Sequence, residues 1–138
     1  MEDTKLNILI LEDVFEDAEL AQYELKKAGL QFNSKRVENL EDFMEALSEF
    51  EPQVIISDYN LPTCNALDAY LLVAQVDIPF IIVSGMVGDE KAVEALKLGV
   101  TDLVSKNSLS RLPLALERAL NEQKVNQDRV GDDEKPAF

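Results

Sequence analysis

Leu6-Asn7-Ile8-Leu9-Ile10-Leu11-Glu12-Asp13 is a short, nearly continuous apolar run that ends on two carboxylates. A strand with one wet face would alternate apolar and polar, so a continuous run reads as a strand buried on both faces. Two more segments share the design. Val54-Ile55-Ile56-Ser57 ends on Asp58, and Phe80-Ile81-Ile82-Val83 ends on Ser84-Gly85. A shorter run, Leu103-Val104, ends in Ser105-Lys106, and Ser34-Lys35-Arg36-Val37 reads as a weak edge strand.

Helical spacing fills the intervals. Val14, Ala18, Ala21, Leu25 and Ala28 recur at steps of four and three, with Gly29 at the C-terminal cap position. Asn39, with Asp42 three residues on, opens a second helix whose apolar positions are Leu40, Phe43, Met44, Leu47 and Phe50. A weaker pattern predicts a helix over 66–73, and 90–98 reads as a helix with Ala92, Val93 and Leu96 inward and Gly99 closing it. Pro113 opens a last helix with Leu112, Leu116, Ala119 and Leu120 inside. Strands alternating with helices predict an α/β domain over residues 1–126. Its expected core is a five-stranded parallel, doubly wound sheet of flavodoxin-like order 2-1-3-4-5, with helices on both faces. A polar stretch, 127–138, is expected to be a disordered tail.

Composition narrows the function. The 138 residues hold 27 Asp plus Glu against 13 Lys plus Arg, a net charge of −14. Phosphate backbones and anionic membranes are bound by clustered Lys and Arg, so neither nucleic acid nor membrane is an expected partner. With one cysteine, Cys64, there is no internal disulfide, and Cys64 reads as a small packed side chain rather than a redox centre. The absence of histidine removes Ser-His-Asp and Cys-His nucleophilic systems and His-ligated metals. No apolar run is long enough for a membrane span and the first residues are no signal peptide, so a cytoplasmic location is expected.

Ligands of such sheets bind beyond the carboxyl ends of the strands. There this sequence offers Glu12 and Asp13, then Asp58, Ser84 and Lys106. Neighbouring strands lie about 4.8 Å apart, which brings Glu12, Asp13 and Asp58 close together. Three clustered carboxylates repel, and a hard divalent cation and the Lys106 ammonium relieve them. Oxygen ligands beside open water suit Mg²⁺. An aspartate, Mg²⁺, a lysine and a hydroxyl form a set suited to phosphoryl transfer onto the aspartate.

These residues resemble the receiver domain of two-component response regulators. The resemblance rests on Ile8 to Asp13, on Val54-Ile55-Ile56-Ser57-Asp58-Tyr59-Asn60-Leu61-Pro62, on Phe80 to Gly85, and on the run from Ala95 to Lys106. It implies that Asp58 is the phosphoacceptor and that Glu12 and Asp13 hold Mg²⁺ with the backbone carbonyl of Asn60. It further implies that Ser84 is a switch hydroxyl and that Lys106 pairs with Asp58 and then with phosphoryl oxygens. The implied donor is a phosphohistidine on a histidine kinase or histidine phosphotransfer protein. The implied output is contact with a downstream protein, and the chain is a self-modifying switch rather than an enzyme. From Met1 and the polar end a whole protein without an effector domain is expected, the alternative being a receiver cut from a larger hybrid protein. Residues two beyond the acceptor and the hydroxyl, Asn60 and Met86, are expected to govern water access, with Met86 slowing hydrolysis.

Three positions depart from the family pattern. Asn107 replaces the usual proline after the lysine, which predicts a trans bond or a rearranged loop, because a cis bond there costs roughly 2.5–4 kcal/mol. Leu103 replaces the usual switching aromatic, so coupling is expected through the backbone of residues 84–90 instead. Ala66 replaces a glycine, which matters only where φ is positive. These departures motivate the alternative of a receiver-like binding module that is never phosphorylated. A dehalogenase-type phosphatase needs a second aspartate where Asn60 stands. A flavin carrier would place its phosphate against Glu12 and Asp13.

Overall fold

The structure is a computed structural model that describes residues 5–85 and 89–134, the side chains of 89 and 124–134 excepted. Five parallel strands form one sheet: β1 (Leu6–Leu11), β2 (Phe32–Val37), β3 (Val54–Asp58), β4 (Phe80–Ser84) and β5 (Asp102–Ser105). Their order is β2-β1-β3-β4-β5, the doubly wound order expected. The three runs that read as buried are the three interior strands, and β2, with its polar Asn33-Ser34-Lys35, lies at an edge.

Five helices connect and follow the strands: α1 (Phe15–Lys27), α2 (Leu40–Glu49), α3 (Ala66–Val73), α4 (Asp89–Leu98) and α5 (Leu112–Glu134). A 3-10 turn, Lys106–Arg111, leads into α5. Strand alternation divides the apolar residues into two layers. Ile8, Ile10, Val54, Ile56 and Val104 pack with Ala18, Ala21 and Leu25 of α1 and with Leu112, Leu116 and Ala119 of α5. Leu9, Leu11, Ile55, Phe80 and Ile82 pack with Phe43 of α2, with Ala66, Ala69 and Val73 of α3, and with Ala95 of α4. Phe43 is wholly buried, and truncating a side chain of that size to alanine costs about 3–5 kcal/mol.

Local chemistry fixes the helix ends. Asn39 Oδ1 accepts from the Asp42 N–H at 2.8 Å, as its spacing predicts. Asn65 and Asp68 form a reciprocal capping box that starts α3. Gly29 and Gly99 follow α1 and α4 with φ of +91° and +114°, the left-handed conformation that ends helices.

Four expectations are corrected. Strand β2 begins at Phe32, two residues early, because Phe32 packs beneath α1 and α5. Met44 is 54% exposed, since Phe43 and Ala46 already carry the inner face of α2. In α4 the inward residue is Ala95; Val93 and Leu96 are about half exposed. Ala92 is partly buried, and the larger side chains of α4 face outward. Helix α5 continues to Glu134, past residue 127, where a disordered tail was expected.

Candidate metal and phosphoryl site

The site grows from the ends of the interior strands by the same alternation that builds the core. Glu12 continues the column of Ile8 and Ile10, Asp58 that of Val54 and Ile56, and Lys106 follows Val104 at the same spacing of two. All three therefore extend the layer covered by α1 and α5. Asp13 follows Leu9 and Leu11, and Ser84 follows Ile82, on the layer covered by α2 to α4.

Glu12 is 5% exposed. Its N–H still pairs with the Val37 carbonyl at 3.0 Å. Its Oε2 accepts from the Val14 N–H at 3.1 Å, and its Oε1 from Lys106 Nζ at 3.1 Å. Its carbonyl accepts from Arg36 Nη1 at 3.1 Å. Burial pushes the Glu12 carboxyl up from the ordinary glutamate range; the Val14 and Lys106 hydrogen bonds oppose this, and the Asp58 charge adds to it. Asp58 Oδ1 accepts from the Tyr59 N–H at 2.7 Å, and its Oδ2 lies 3.4 Å from Lys106 Nζ. One carboxylate oxygen from each of Glu12, Asp13 and Asp58 lies within 4.8 Å of the others.

Lys106 is the counter-charge of the whole group. Its ammonium reaches Asp17 Oδ2 at 2.8 Å as well as Glu12 and Asp58. Burial disfavours the ammonium, but the hydrogen bonds to Asp17 and Glu12 and the charges of Glu12 and Asp58 outweigh it and hold its pKa above the usual lysine value. Three carboxylates thus contact one ammonium, and Asp13 stands beside two of them. A small cation with metal–oxygen distances of about 2.0–2.1 Å fits between oxygens this close, so the donor set suits Mg²⁺.

Ser84 ends β4 one residue beyond Val83, the register partner of Asp58, and is 5% exposed. The loop carrying Asn60 closes on itself through an Asn60–Asn65 bridge, a Leu61 N–H to Cys64 carbonyl bond of 2.9 Å and an Ala66 N–H to Tyr59 carbonyl bond of 2.8 Å. Ala66 is the first residue of α3 and is not among the positive-φ positions, so no glycine is needed there. The Lys106–Asn107 bond is trans, and the Asn107 N–H, which proline lacks, donates to Ser105 Oγ at 3.0 Å. Leu103 packs against the core layer of α2 to α4. Lys91 of α4 lies over the Tyr59 ring at 5.6 Å. Residues 86–88, Met86 among them, fall outside the described residues.

Sequence reasoning missed Asp17, which reads as one of the solvated charges around α1. The signal was its position one residue before buried Ala18 and one turn before buried Ala21, on the shoulder of the inner stripe.

The comparisons agree with this fold. The family model for the response regulator receiver domain matches residues 8–117, and the chain belongs to that family. No curated protein matches significantly. Among solved structures, the chain resembles the signal receiver domain of an HD domain-containing protein from Pseudomonas fluorescens Pf-5, with a TM-score of 0.76 and 20% identity over 88% of this chain and 99% of that one. It resembles a response regulator receiver domain protein from Clostridium thermocellum, with a TM-score of 0.75 and 19% identity over 87% and 98%. It also resembles the Mn²⁺-bound form of the response regulator Rcp1, with a TM-score of 0.67 and 20% identity over 78% and 89%. It is thus a receiver domain of two-component signalling, and no helix among the described residues is long and apolar enough to cross a membrane.

Proposed function

We propose that this receiver accepts a phosphoryl group on Asp58 from a phosphohistidine of a histidine kinase or phosphotransfer protein and signals by contact with a downstream protein. Glu12, Asp13, Asp58 and the carbonyl of Asn60 would hold Mg²⁺. When bound, the ion neutralises phosphoryl oxygens that would otherwise be repelled by the carboxylates. The Mn²⁺-bound state of Rcp1, a similar structure, is in keeping with a divalent ion at such a site.

In the transfer, an Asp58 carboxylate oxygen forms the new bond to phosphorus. The bond from phosphorus to the donor imidazole nitrogen breaks, and its electron pair stays on that nitrogen. Lys106 supplies positive charge to the phosphoryl oxygens. The Tyr59 N–H fixes the rotation of the Asp58 carboxylate through its bond to Oδ1. Ser84 would donate its hydroxyl to a phosphoryl oxygen. The acyl phosphate is later lost to water, so the switch resets itself.

The observation that carries this reading is the convergence of three carboxylates within 4.8 Å of one another and of one ammonium upon them. Intact mass after incubation with acetyl phosphate tests it. One Mg²⁺-dependent phosphoryl adduct is expected, absent in Asp58→Asn. A folded protein that forms no adduct with acetyl phosphate or with a phosphorylated phosphotransfer protein would leave the unphosphorylated binding module instead.

A further inference from the structure

We propose that Asp17 is a positioning residue for Lys106, anchoring the ammonium so that one of its N–H donors stays aimed at Asp58. An ammonium has three donors and no acceptor. Here two are spent at bonding distance, on Asp17 Oδ2 at 2.8 Å and on Glu12 Oε1 at 3.1 Å. The third has only a long approach of 3.4 Å to Asp58 Oδ2. The shortest of the three contacts therefore goes to a residue outside the expected reaction set.

The arrangement has a chemical consequence. Glu12 and Asp58 belong to the cluster that can hold a cation, and Asp17 does not. A cation drawing on the oxygens of Glu12 and Asp58 weakens their grip on Lys106. Asp17 is then the carboxylate that keeps the ammonium in place. A lysine is a point charge on a flexible stem of four carbons, with about 2 kcal/mol of rotamer entropy to lose. An anchor on a rigid element lets that ordering occur during folding rather than during reaction. Helix α1 is such an element, since buried Ala18, Ala21 and Leu25 fix its rotation against the sheet. The ordinary role of an acidic residue in a first helical turn, favouring the helix dipole, needs no lysine. Glu16 occupies the same turn, exposed.

The inference rests on Asp58 as phosphoacceptor, and its test separates the two. Phosphorylation rates at saturating Mg²⁺ are compared for wild type, Asp17→Asn, Lys106→Met and the double variant, with Lys106→Gln replacing Lys106→Met should the latter not fold. Asp17→Asn is expected to slow adduct formation about tenfold, the scale of losing a supporting contact behind a reacting group. Asp17→Glu should restore part of the rate. In the Lys106→Met background Asp17→Asn should do nothing further. An equal loss in both backgrounds, or no loss in either, overturns the proposal. A second readout needs no phosphoryl group. In Mg²⁺-free protein the ¹H–¹⁵N signal of the Lys106 ammonium should persist in wild type and Asp17→Glu and vanish by exchange in Asp17→Asn. If the wild type forms no adduct, the phosphoacceptor reading fails, and this spectrum alone upholds or overturns the anchoring role.

Discussion

The two ends of the sheet solve the same problem in opposite ways. At the amino ends of the strands, neutral amides close on one another. The Asn7 N–H donates to Gln53 Oε1 at 2.9 Å, and the Gln53 N–H donates back to the Asn7 carbonyl at 2.8 Å. Asn7 Nδ2 donates to the Phe50 carbonyl at 3.0 Å, and Asn33 Nδ2 to Asn7 Oδ1 at 3.1 Å. Phe80 and Thr101 exchange two bonds of 2.9 Å. At the carboxyl ends, one ammonium meets three carboxylates, with a fourth, Asp13, beside them. Reciprocal neutral hydrogen bonds leave nothing over, so the amino end is a structural seam. The charged end does not sum to zero, and the surplus is what a cation or a partner can use. Polar content alone does not mark a site; an uncompensated charge held by a rigid scaffold does.

This contrast can be broken at several points. The largest effect is expected from Lys106→Met without divalent cations. Removing one partner of a buried ion pair costs about 3–5 kcal/mol, and because Lys106 keeps 23% of its side chain exposed, the lower figure is expected in denaturant unfolding. Mg²⁺ should recover much of it. Next, Mg²⁺ at one hundred times its dissociation constant should add about 2.7 kcal/mol to wild-type stability. That gain should fall in Asp13→Asn and be unchanged in Asn7→Ala. Asn7→Ala itself should cost about 1–3 kcal/mol, the penalty for stranding its amide partners. Mg²⁺-induced stabilisation lost in Asn7→Ala would show the two ends to be coupled and would sink the distinction.

The smallest effect concerns Cys64, in the loop behind Asp58. Burial pushes its thiol up, the Asp68 charge adds to this, and a Thr63 hydrogen bond opposes it. The folded chain therefore holds the thiol proton more tightly than the unfolded one. That contribution is complete below the ordinary thiol range and is lost as pH rises through the folded value. Alkylation by iodoacetamide should be slower than in the unfolded chain at neutral pH and accelerate only above the usual thiol range. Asp68→Asn should shift the profile downward.

Legibility followed burial. Strands β1, β3 and β4 were readable because strands covered on both faces need continuous apolar runs; α3 was legible only as a weaker pattern, and the Asn65–Asp68 capping box that starts it went unread. The face of α4 was not legible, because periodicity counts apolar residues without fixing which of them the sheet covers, and the buried one is Ala95. The three carboxylates and Lys106 were legible as strand-end residues. Their division between two faces, with Glu12, Asp58 and Lys106 on one and Asp13 and Ser84 on the other, follows from counting by two along each strand. Asp17 was not legible, because an acid in a first helical turn already has an ordinary explanation, and only the distance to Lys106 reveals another. Asn107 was legible as a departure, but the use of its N–H, a bond to Ser105 Oγ, was not.

Glu12 and Lys106 stand 94 residues apart in the chain. During synthesis Glu12, Asp13, Asp17 and Asp58 all emerge before the one ammonium that reconciles them. A nascent chain ending after β3 carries the repulsion without the remedy, and its β3 edge lacks β4. The sheet's interior is therefore completed late, and its long-range pairing makes folding slower than in a protein of local contacts. Truncation before Lys106 removes more than the 3-10 turn and α5: it leaves an acidic end that water and salt must neutralise. The part of the amino end stitched by Asn7 and Gln53 across 46 residues has no such dependence and can form first.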